Sequence, residues 1–204
     1  MTQQSEVKTR DAIVGAALAC FRTRGLGQTT IVDIAREAGV SRSTFYEYFP
    51  DKGAVVEACA EAASQRFYRN MVKVVNRFET LEDQLVGAAV FVVQARRVVE
   101  PEKYFDQEEV DLLLTKNAAV LLQECGEFIA PYLVAAKLTG EVRKDLDVTA
   151  AGEWFARILF SLFTTPSPYI DMDDDPAVSE FARAFVVRGF TDDRASRPRR
   201  AAAG

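Results

Sequence analysis

The chain of 204 residues has no histidine, one tryptophan and three cysteines. Histidine is the commonest general base and a common metal ligand, so its absence excludes Ser-His-Asp and Cys-His catalysis. A glycine-rich phosphate loop of the GxxxxGKS type is also missing from the sequence. These absences argue against an enzyme, although catalysis by Asp, Glu, Lys or Tyr stays open.

The cysteines show no metal-binding pattern. Cys20, Cys59 and Cys125 form no CxxC pair and lie among apolar residues of predicted helices. We interpret them as buried small side chains in a reducing compartment. The acidic run 171–175 lacks the glycine and the terminal glutamate of an EF-hand loop. We therefore predict no metal and no cofactor. Because no run of 18 apolar residues occurs, we also predict no membrane span and a cytoplasmic location.

Charge is distributed unevenly along the chain, although the net charge is only -5. Residues 1–52 carry seven Lys/Arg and six Asp/Glu, a net of +1. Residues 53–204 carry eighteen Lys/Arg and twenty-four Asp/Glu, a net of -6. The balance argues against a protein coated in positive charge. It fits a protein that contacts DNA with one end only.

Helical periodicity predicts an all-α chain of about nine helices, with little strand-like alternation. Residues 1–8 are expected to be frayed. The first helices are expected at 9–24, after Thr30, and from Ser41 to about Phe49, followed by helices at 52–78 and 80–99. Later helices are expected at 101–114 and 115–138, along the apolar stripes 151–163 and 178–190, with disorder near the end.

Residues 29–52 are predicted to form two short helices joined by a tight turn. Thr30 and Asp33 have the spacing of a helix N-cap, and Gly39 suits the turn. The second of these helices opens with the sequence Ser41-Arg42-Ser43-Thr44. Small polar and basic side chains on such a helix suit contact with a DNA groove and its phosphates. From spacing alone, an ordinary pair of packed helices remains an alternative.

The segment from about Thr9 to Val56 resembles the N-terminal domain of TetR-family (tetracycline-repressor-type) regulators. The resemblance rests on T-x-x-D-I-A at 30–35, A-G-V-S at 38–41 and T-F-Y-x-Y-F-x-x-K at 44–52. It covers about a quarter of the chain. It implies a helix-turn-helix DNA-binding protein rather than an enzyme.

The resemblance also implies residue roles. Residues at the start of the recognition helix would lie nearest the base edges, and Arg42 could read guanine with two hydrogen bonds. Tyr46, Tyr48 and Lys52 would approach phosphates. The full set of implied DNA contacts is Thr30, Arg42, Ser43, Thr44, Tyr46, Tyr48 and Lys52.

The rest of the chain resembles the family in its layout of helices. Its last two helices have broad apolar stripes, which a second copy would cover in a homodimer. Packing of these stripes on the body of the same chain is the alternative. The predicted dimer residues are Trp154, Ile158, Leu162, Phe181 and Phe185. Aromatic side chains of the interior suggest a pocket for a small apolar or aromatic effector. The candidate pocket residues are Phe67, Met71, Phe78, Phe91, Gln94, Phe128, Tyr132, Trp154 and Phe155. Packing of these side chains as plain core remains the alternative.

The sequence therefore predicts a helix-turn-helix domain at 1–52, a ligand-binding and dimerisation domain at 53–192, and a disordered tail at 193–204. The predicted function is that of a ligand-responsive transcriptional regulator, a repressor released from a palindromic operator. The predicted partners are double-stranded DNA, an effector and a second copy of the chain. An all-helical enzyme and a constitutive architectural DNA binder are the alternatives.

Overall fold

The computed structural model describes residues 3–99 and 118–190, and the regular elements within these ranges are all helical. The all-α fold class is thereby confirmed. The α-helices of the described ranges are α1 (Gln3–Arg24), α2 (Ile31–Glu37), α3 (Arg42–Tyr48), α4 (Lys52–Val75), α5 (Leu81–Val99), α6 (Ala118–Thr139), α7 (Val148–Thr164) and α8 (Asp175–Phe181). The predicted helix at 101–114 and the predicted tail at 193–204 lie outside the described residues.

The chain divides into two compact units, and the division falls inside α4. The first unit includes the chain up to Arg69, and the second includes Asn70–Arg97 and the described residues from Ala118 onward. The first turns of α4 belong to the first unit because Val55 and Cys59 are buried in its core. The boundary predicted from the sequence at residue 52 separates a DNA-binding part from a ligand-binding part, and this functional division remains a prediction.

The core of the first unit includes an apolar stripe of α1. Ile13, Ala17 and Phe21 are fully buried, and each lies four residues from the next on one helix face. Phe45 of α3 is also fully buried against this core. The buried ring of Phe45 therefore determines which side of α3 is exposed.

Two glycines let the chain turn sharply between the helices of this unit. Gly25 ends α1 with a φ of 78°, and Gly39 separates α2 from α3 with a φ of 68°. Positive φ is disfavoured for residues with a Cβ atom. Pro50 follows Phe49, whose extended backbone ends α3 as predicted. Short local signals therefore define the helix-turn-helix geometry.

The sequence-based bounds of two helices were wrong. Residues 1–8 were expected to be frayed, but α1 begins at Gln3. None of residues 6–12, the part of α1 before Ile13 whose side chains are described, belongs to the buried core, so these residues show no apolar stripe that would predict a helix. The fourth helix was expected to reach Phe78, but α4 ends at Val75.

In the second unit, α5 is largely buried, as its apolar composition predicts. Two sets of polar contacts join it to the C-terminal helical segment. Near its start, Arg183 donates hydrogen bonds to Glu82 and Asp83. Near its end, Arg97 pairs with Asp175 at 3.0 Å. The order of these contacts shows that α5 and the C-terminal segment run antiparallel.

Helices α6 and α7 approach closely at two glycines. A Cβ atom added to Gly152 would lie 3.2 Å from the carbonyl oxygen of Gly126 and 3.4 Å from Ile129. The close backbone approach leaves little room for a side chain there.

By length and composition, α6 meets the criterion for a membrane-spanning helix. Single helices of soluble proteins often meet this criterion, so it does not establish a span.

The final helix was predicted to be continuous, but the structure shows a change of helix type. The α-helical part ends at Phe181, a π-helical turn covers Ala182–Val186, and a 3₁₀ turn covers Val187–Gly189. The hydrogen bonds of a π turn join residues five apart rather than four apart. Residues after the turn are therefore rotated relative to their positions in a continuous α-helix. Phe185, one of the predicted dimer residues, lies in this π turn and is 72% exposed in the single chain.

Asp174 is the N-cap of α8 but makes no side-chain cap hydrogen bond, and the helix begins at Asp175. Two cysteines are buried as expected, whereas Cys125 is only half-buried. Burial raises the pKa of the Cys59 thiol to about 11 and that of Cys125 to about 12. Both thiols therefore stay protonated at neutral pH.

Candidate nucleic-acid interface

The exposed side of α3 presents a row of small polar groups. Ser41 caps the helix by accepting a hydrogen bond from the amide of Thr44 at 3.0 Å. Its hydroxyl lies 2.7 Å from that of Ser43 and 2.9 Å from that of Thr44. Because Phe45 is buried on the opposite side, these hydroxyls are held at the surface. Such groups can donate to or accept from base edges and phosphates.

Arg42 and Tyr46 form a pair one helical turn apart on this exposed side. The guanidinium carbon of Arg42 lies 5.5 Å from the centroid of the Tyr46 ring. Its Nη2 group donates to the Tyr46 hydroxyl at 3.3 Å. Both residues are exposed. The tyrosine therefore holds a planar cation in an extended, preorganised position on the outer face of α3.

The start of α2 is locked by a capping box. Asp33 donates its amide to the Thr30 hydroxyl at 3.2 Å, and its carboxylate accepts from the Thr30 amide at 3.1 Å. The same carboxylate pairs with Arg24 at 2.5 Å and Arg36 at 2.7 Å. Thr30 is thus exposed but engaged within the protein. The sequence predicted the cap but missed both arginine pairs.

This network changes the acidity of Asp33. Hydrogen bonds from the hydroxyl and then the amide of Thr30, followed by that from Arg24, lower the pKa of Asp33 from 3.8 to about 2. A carboxyl with a lowered folded-state pKa stabilises the fold above its unfolded pKa. This stabilisation is fully present above pH 3.8 and disappears as the pH falls towards about 2.

We expect Asp33→Asn to lower stability at neutral pH, because the substitution removes the ionised partner of Thr30 and Arg24. The difference in unfolding free energy between the variant and the wild type should shrink as the pH falls below 3.8. Urea unfolding across this range measures it. Asp11→Asn, which removes an exposed carboxylate from α1, is the control. A difference independent of pH would contradict the assignment.

The remaining predicted DNA contacts lie in different environments. Lys52 is half-buried at the start of α4, and its Nζ donates to the carbonyl of Leu26 at 2.5 Å. Tyr48 is half-buried and packs against the core. Lys52 therefore joins the α1–α2 turn to α4, a structural role that the sequence did not reveal. Two of its three N–H donors remain for another acceptor.

The structure brings together only some of the predicted effector residues. Phe67 lies in the first unit and the other eight in the second. Met71 and Phe155 are almost fully buried, whereas Phe78 is half-exposed and covers Gly87. The Phe128 and Tyr132 rings lie 5.7 Å apart on α6. Phe91 is half-buried on α5, and Gln94 is exposed and donates to Asp175 at 2.6 Å.

The Tyr132 hydroxyl donates to Asn76 at 2.9 Å, which gives this aromatic region a polar group. A separate open cleft of about 310 Å³ lies at the start of α7. Trp154 is the only predicted effector residue among those that line this cleft. The lining residues are Arg143, Leu146, Asp147, Ala150, Ala151, Trp154, Gly189 and Phe190.

The predicted dimer residues also differ in exposure. Trp154 is 50% exposed and Phe185 is 72% exposed, whereas Leu162 is buried within the single chain. Ile158 and Phe181 are half-buried. The Phe181 and Phe185 rings lie 5.5 Å apart. Trp154 and Phe185 therefore present apolar surface to solvent in the single chain, whereas Leu162 is already covered by its own chain.

The long helix α1, the two seven-residue helices α2 and α3 with Gly39 at the turn between them, and the outward polar side of α3 are typical of a helix-turn-helix domain. Residues 13–59 match the family described as bacterial regulatory proteins, tetR family. The chain belongs to the TetR family of transcriptional regulators.

Two curated relatives from Pseudomonas putida are similar over most of the chain. One is the probable HTH-type transcriptional regulator ArpR, 26% identical over 162 residues, which are 74% of this chain and 76% of ArpR. The other is the HTH-type transcriptional regulator TtgR, 26% identical over 161 residues, again 74% and 76%. Regulators of this kind are not enzymes, so the enzyme alternative is excluded.

Solved structures share the fold at low sequence identity. A TetR-family regulator from Pectobacterium atrosepticum has a TM-score of 0.70 at 19% identity, with 98% of this chain and all of that chain (100%) covered. RolR in complex with resorcinol has a TM-score of 0.63 at 19% identity, with 97% of both chains covered. The shared fold includes proteins with a bound small molecule.

Proposed function

We propose that the protein is a homodimeric transcriptional repressor that a small apolar or aromatic effector releases from a palindromic operator. The observation that carries the proposal is the α3 surface, where Arg42 and Tyr46 are presented outward while Phe45 anchors the helix in the core. Such a helix suits the major groove of DNA. DNA binding also supports a cytoplasmic location.

We assign the DNA contacts by the chemistry of each exposed group. Arg42, Ser43 and Thr44 are proposed to read base edges from the first turn of α3. Tyr46 is proposed to hold Arg42 and contact the backbone. Phosphate contacts are proposed for Tyr48, Lys52 and Thr30. Thr30 immediately precedes α2. The backbone amides of Ile31 and Val32 lie in the first turn of α2 and therefore have no carbonyl partner within the helix.

The exposed aromatic surface supports a dimer. Trp154 and Ile158 lie one turn apart on α7, as do Phe181 and Phe185 on the C-terminal segment. Fully burying a large apolar side chain stabilises by about 1.5–3 kcal/mol. Covering these residues on two chains would therefore favour association. A two-fold dimer presents two α3 helices to two half-sites, which requires a near-palindromic operator.

The effector is proposed to bind inside the second unit, among the aromatic residues of α4 to α7. Support comes from the Phe128–Tyr132 ring pair and the nearby Asn76 amide. RolR, which has the same fold, is described with resorcinol bound. Effector binding must favour a conformation that cannot hold DNA, because equal affinity for both states shifts nothing. A 100-fold loss of operator affinity needs about 2.8 kcal/mol of differential binding.

Selection from fragmented genomic DNA tests the proposal. The protein is expected to enrich fragments that contain an inverted repeat, and two chains should bind each site. Small apolar and aromatic compounds that stabilise the protein against heat should then weaken operator binding. Enrichment without any shared sequence would support an architectural DNA binder. Stabilising compounds that leave operator affinity unchanged would refute the proposed release.

A further inference from the structure

We infer that Arg10 of α1 is an additional DNA-phosphate contact, held beside the C-terminal end of α3 by the ring of Phe49. The inference rests on the proposed DNA-binding function and extends the interface beyond the helix-turn-helix segment. Neither the motif that identifies the family nor the matched residues 13–59 include Arg10.

The position of Arg10 on α1 directs it towards α3. Arg10 lies three residues before Ile13 and four before Val14, so it continues their buried stripe by one helical turn. Its guanidinium carbon lies 5.3 Å from the centroid of the Phe49 ring. Phe49 is the C-cap of α3 and is 3% exposed. A rigid core residue therefore holds the cation at the end of the recognition helix.

Most other cations near this surface are already engaged. Arg24 and Arg36 pair with Asp33. Lys52 donates to the Leu26 carbonyl, and Arg42 donates to the Tyr46 hydroxyl. Arg10, by contrast, makes no hydrogen bond or ion pair with any residue in 3–99 or 118–190.

The contact with Phe49 leaves the hydrogen-bonding capacity of Arg10 unused. A ring contact occupies one face of the guanidinium, whereas the five N–H donors point outward in its plane. This fork matches the oxygens of a phosphate group. Glu6, one turn earlier on α1, forms no ion pair with Arg10 within the described residues. The guanidinium of Arg10 is therefore held in place while its N–H groups are available to donate hydrogen bonds.

Duplex DNA is the anion that fits this position. Phe49 lies in sequence between Tyr48 and Lys52, which are both proposed phosphate contacts. The seven residues of α3 span roughly 10 Å, with Arg42 at its first turn and Arg10 beside its last. With α3 in the major groove, a cation at this end would meet a flanking phosphate. This contact adds affinity but no base preference.

The salt dependence of operator binding tests the inference. Each phosphate contact contributes about 0.9 to the slope of log affinity against log salt. Arg10→Ala should therefore reduce the slope by about 1.8 for a dimer, and equally for operator and unrelated DNA. Between 50 and 200 mM salt this corresponds to about a 12-fold smaller loss of affinity. Arg10→Gln should reproduce the result, and Arg10→Lys should retain the wild-type slope.

Arg22→Ala is the matched control because it removes an exposed arginine from the same helix, away from Phe49. Its slope should equal that of the wild type. Circular dichroism melting establishes that the variants are folded. Unchanged slopes in both neutral Arg10 variants, or equal effects of Arg10 and Arg22, would overturn the inference. A wild-type protein that binds no operator would instead overturn the proposed function.

Discussion

Replacing Phe185 with aspartate should leave the chain folded but convert the dimer into monomers. Phe185 is 72% exposed and adds little to the core of its own chain. At the proposed interface, however, a buried unpaired carboxylate would be strongly unfavourable. Since linking two half-site contacts raises affinity by about 10²–10⁴-fold, operator affinity should fall by a factor in that range.

Sedimentation velocity and operator titration measure these effects. The single tryptophan of the chain gives a second signal, because Trp154 lies on the same proposed interface and is 50% exposed in one chain. Its emission should shift to longer wavelength in the Phe185→Asp monomer. Leu138→Asp, at an 84% exposed position on α6, should remain dimeric. A Phe185→Asp protein that is still dimeric with unchanged emission would refute the proposed interface.

The helix-turn-helix geometry of the first unit could be predicted from the sequence because it depends on local signals. The Thr30–Asp33 spacing specified the start of α2, and Gly39 specified the turn. The extension of α1 back to Gln3 had no such signal, because residues 6–12, where side chains are described, bury no apolar residue. A helix propagates readily from turns that are already formed and packed.

The second unit was less predictable because its features depend on contacts between distant residues. The open cleft joins Arg143, Trp154 and Phe190, which no local pattern relates. The π turn at Ala182–Val186 likewise follows an apolar pattern that an uninterrupted α-helix would share. The change of helix type therefore became apparent only in the structure. The assignment of effector residues remains a prediction for the same reason.

Replacing Arg42 with alanine should reduce operator affinity by about 1–3 kcal/mol per half-site, if it reads a guanine with two hydrogen bonds. Binding to unrelated DNA should change far less, so the variant loses sequence preference. The Arg42–Tyr46 contact gives a structural reason for this expectation. Because Tyr46 orients the guanidinium, less conformational entropy is lost when the arginine meets a base. Arg42→Lys should also lose preference, since an ammonium cannot form the same planar pair of bonds.

Lys52→Ala provides the contrasting measurement. It should weaken operator and unrelated DNA alike and reduce the salt slope by about 0.9 per chain. Because Lys52 also binds the Leu26 carbonyl, its melting temperature must be measured beside its affinity. Titration of both variants against the operator and single-base changes of it separates the two roles. If Arg42→Ala and Lys52→Ala lose affinity equally on every sequence, Arg42 does not read a base, and specificity must come from the hydroxyl groups at the start of α3 or from DNA shape.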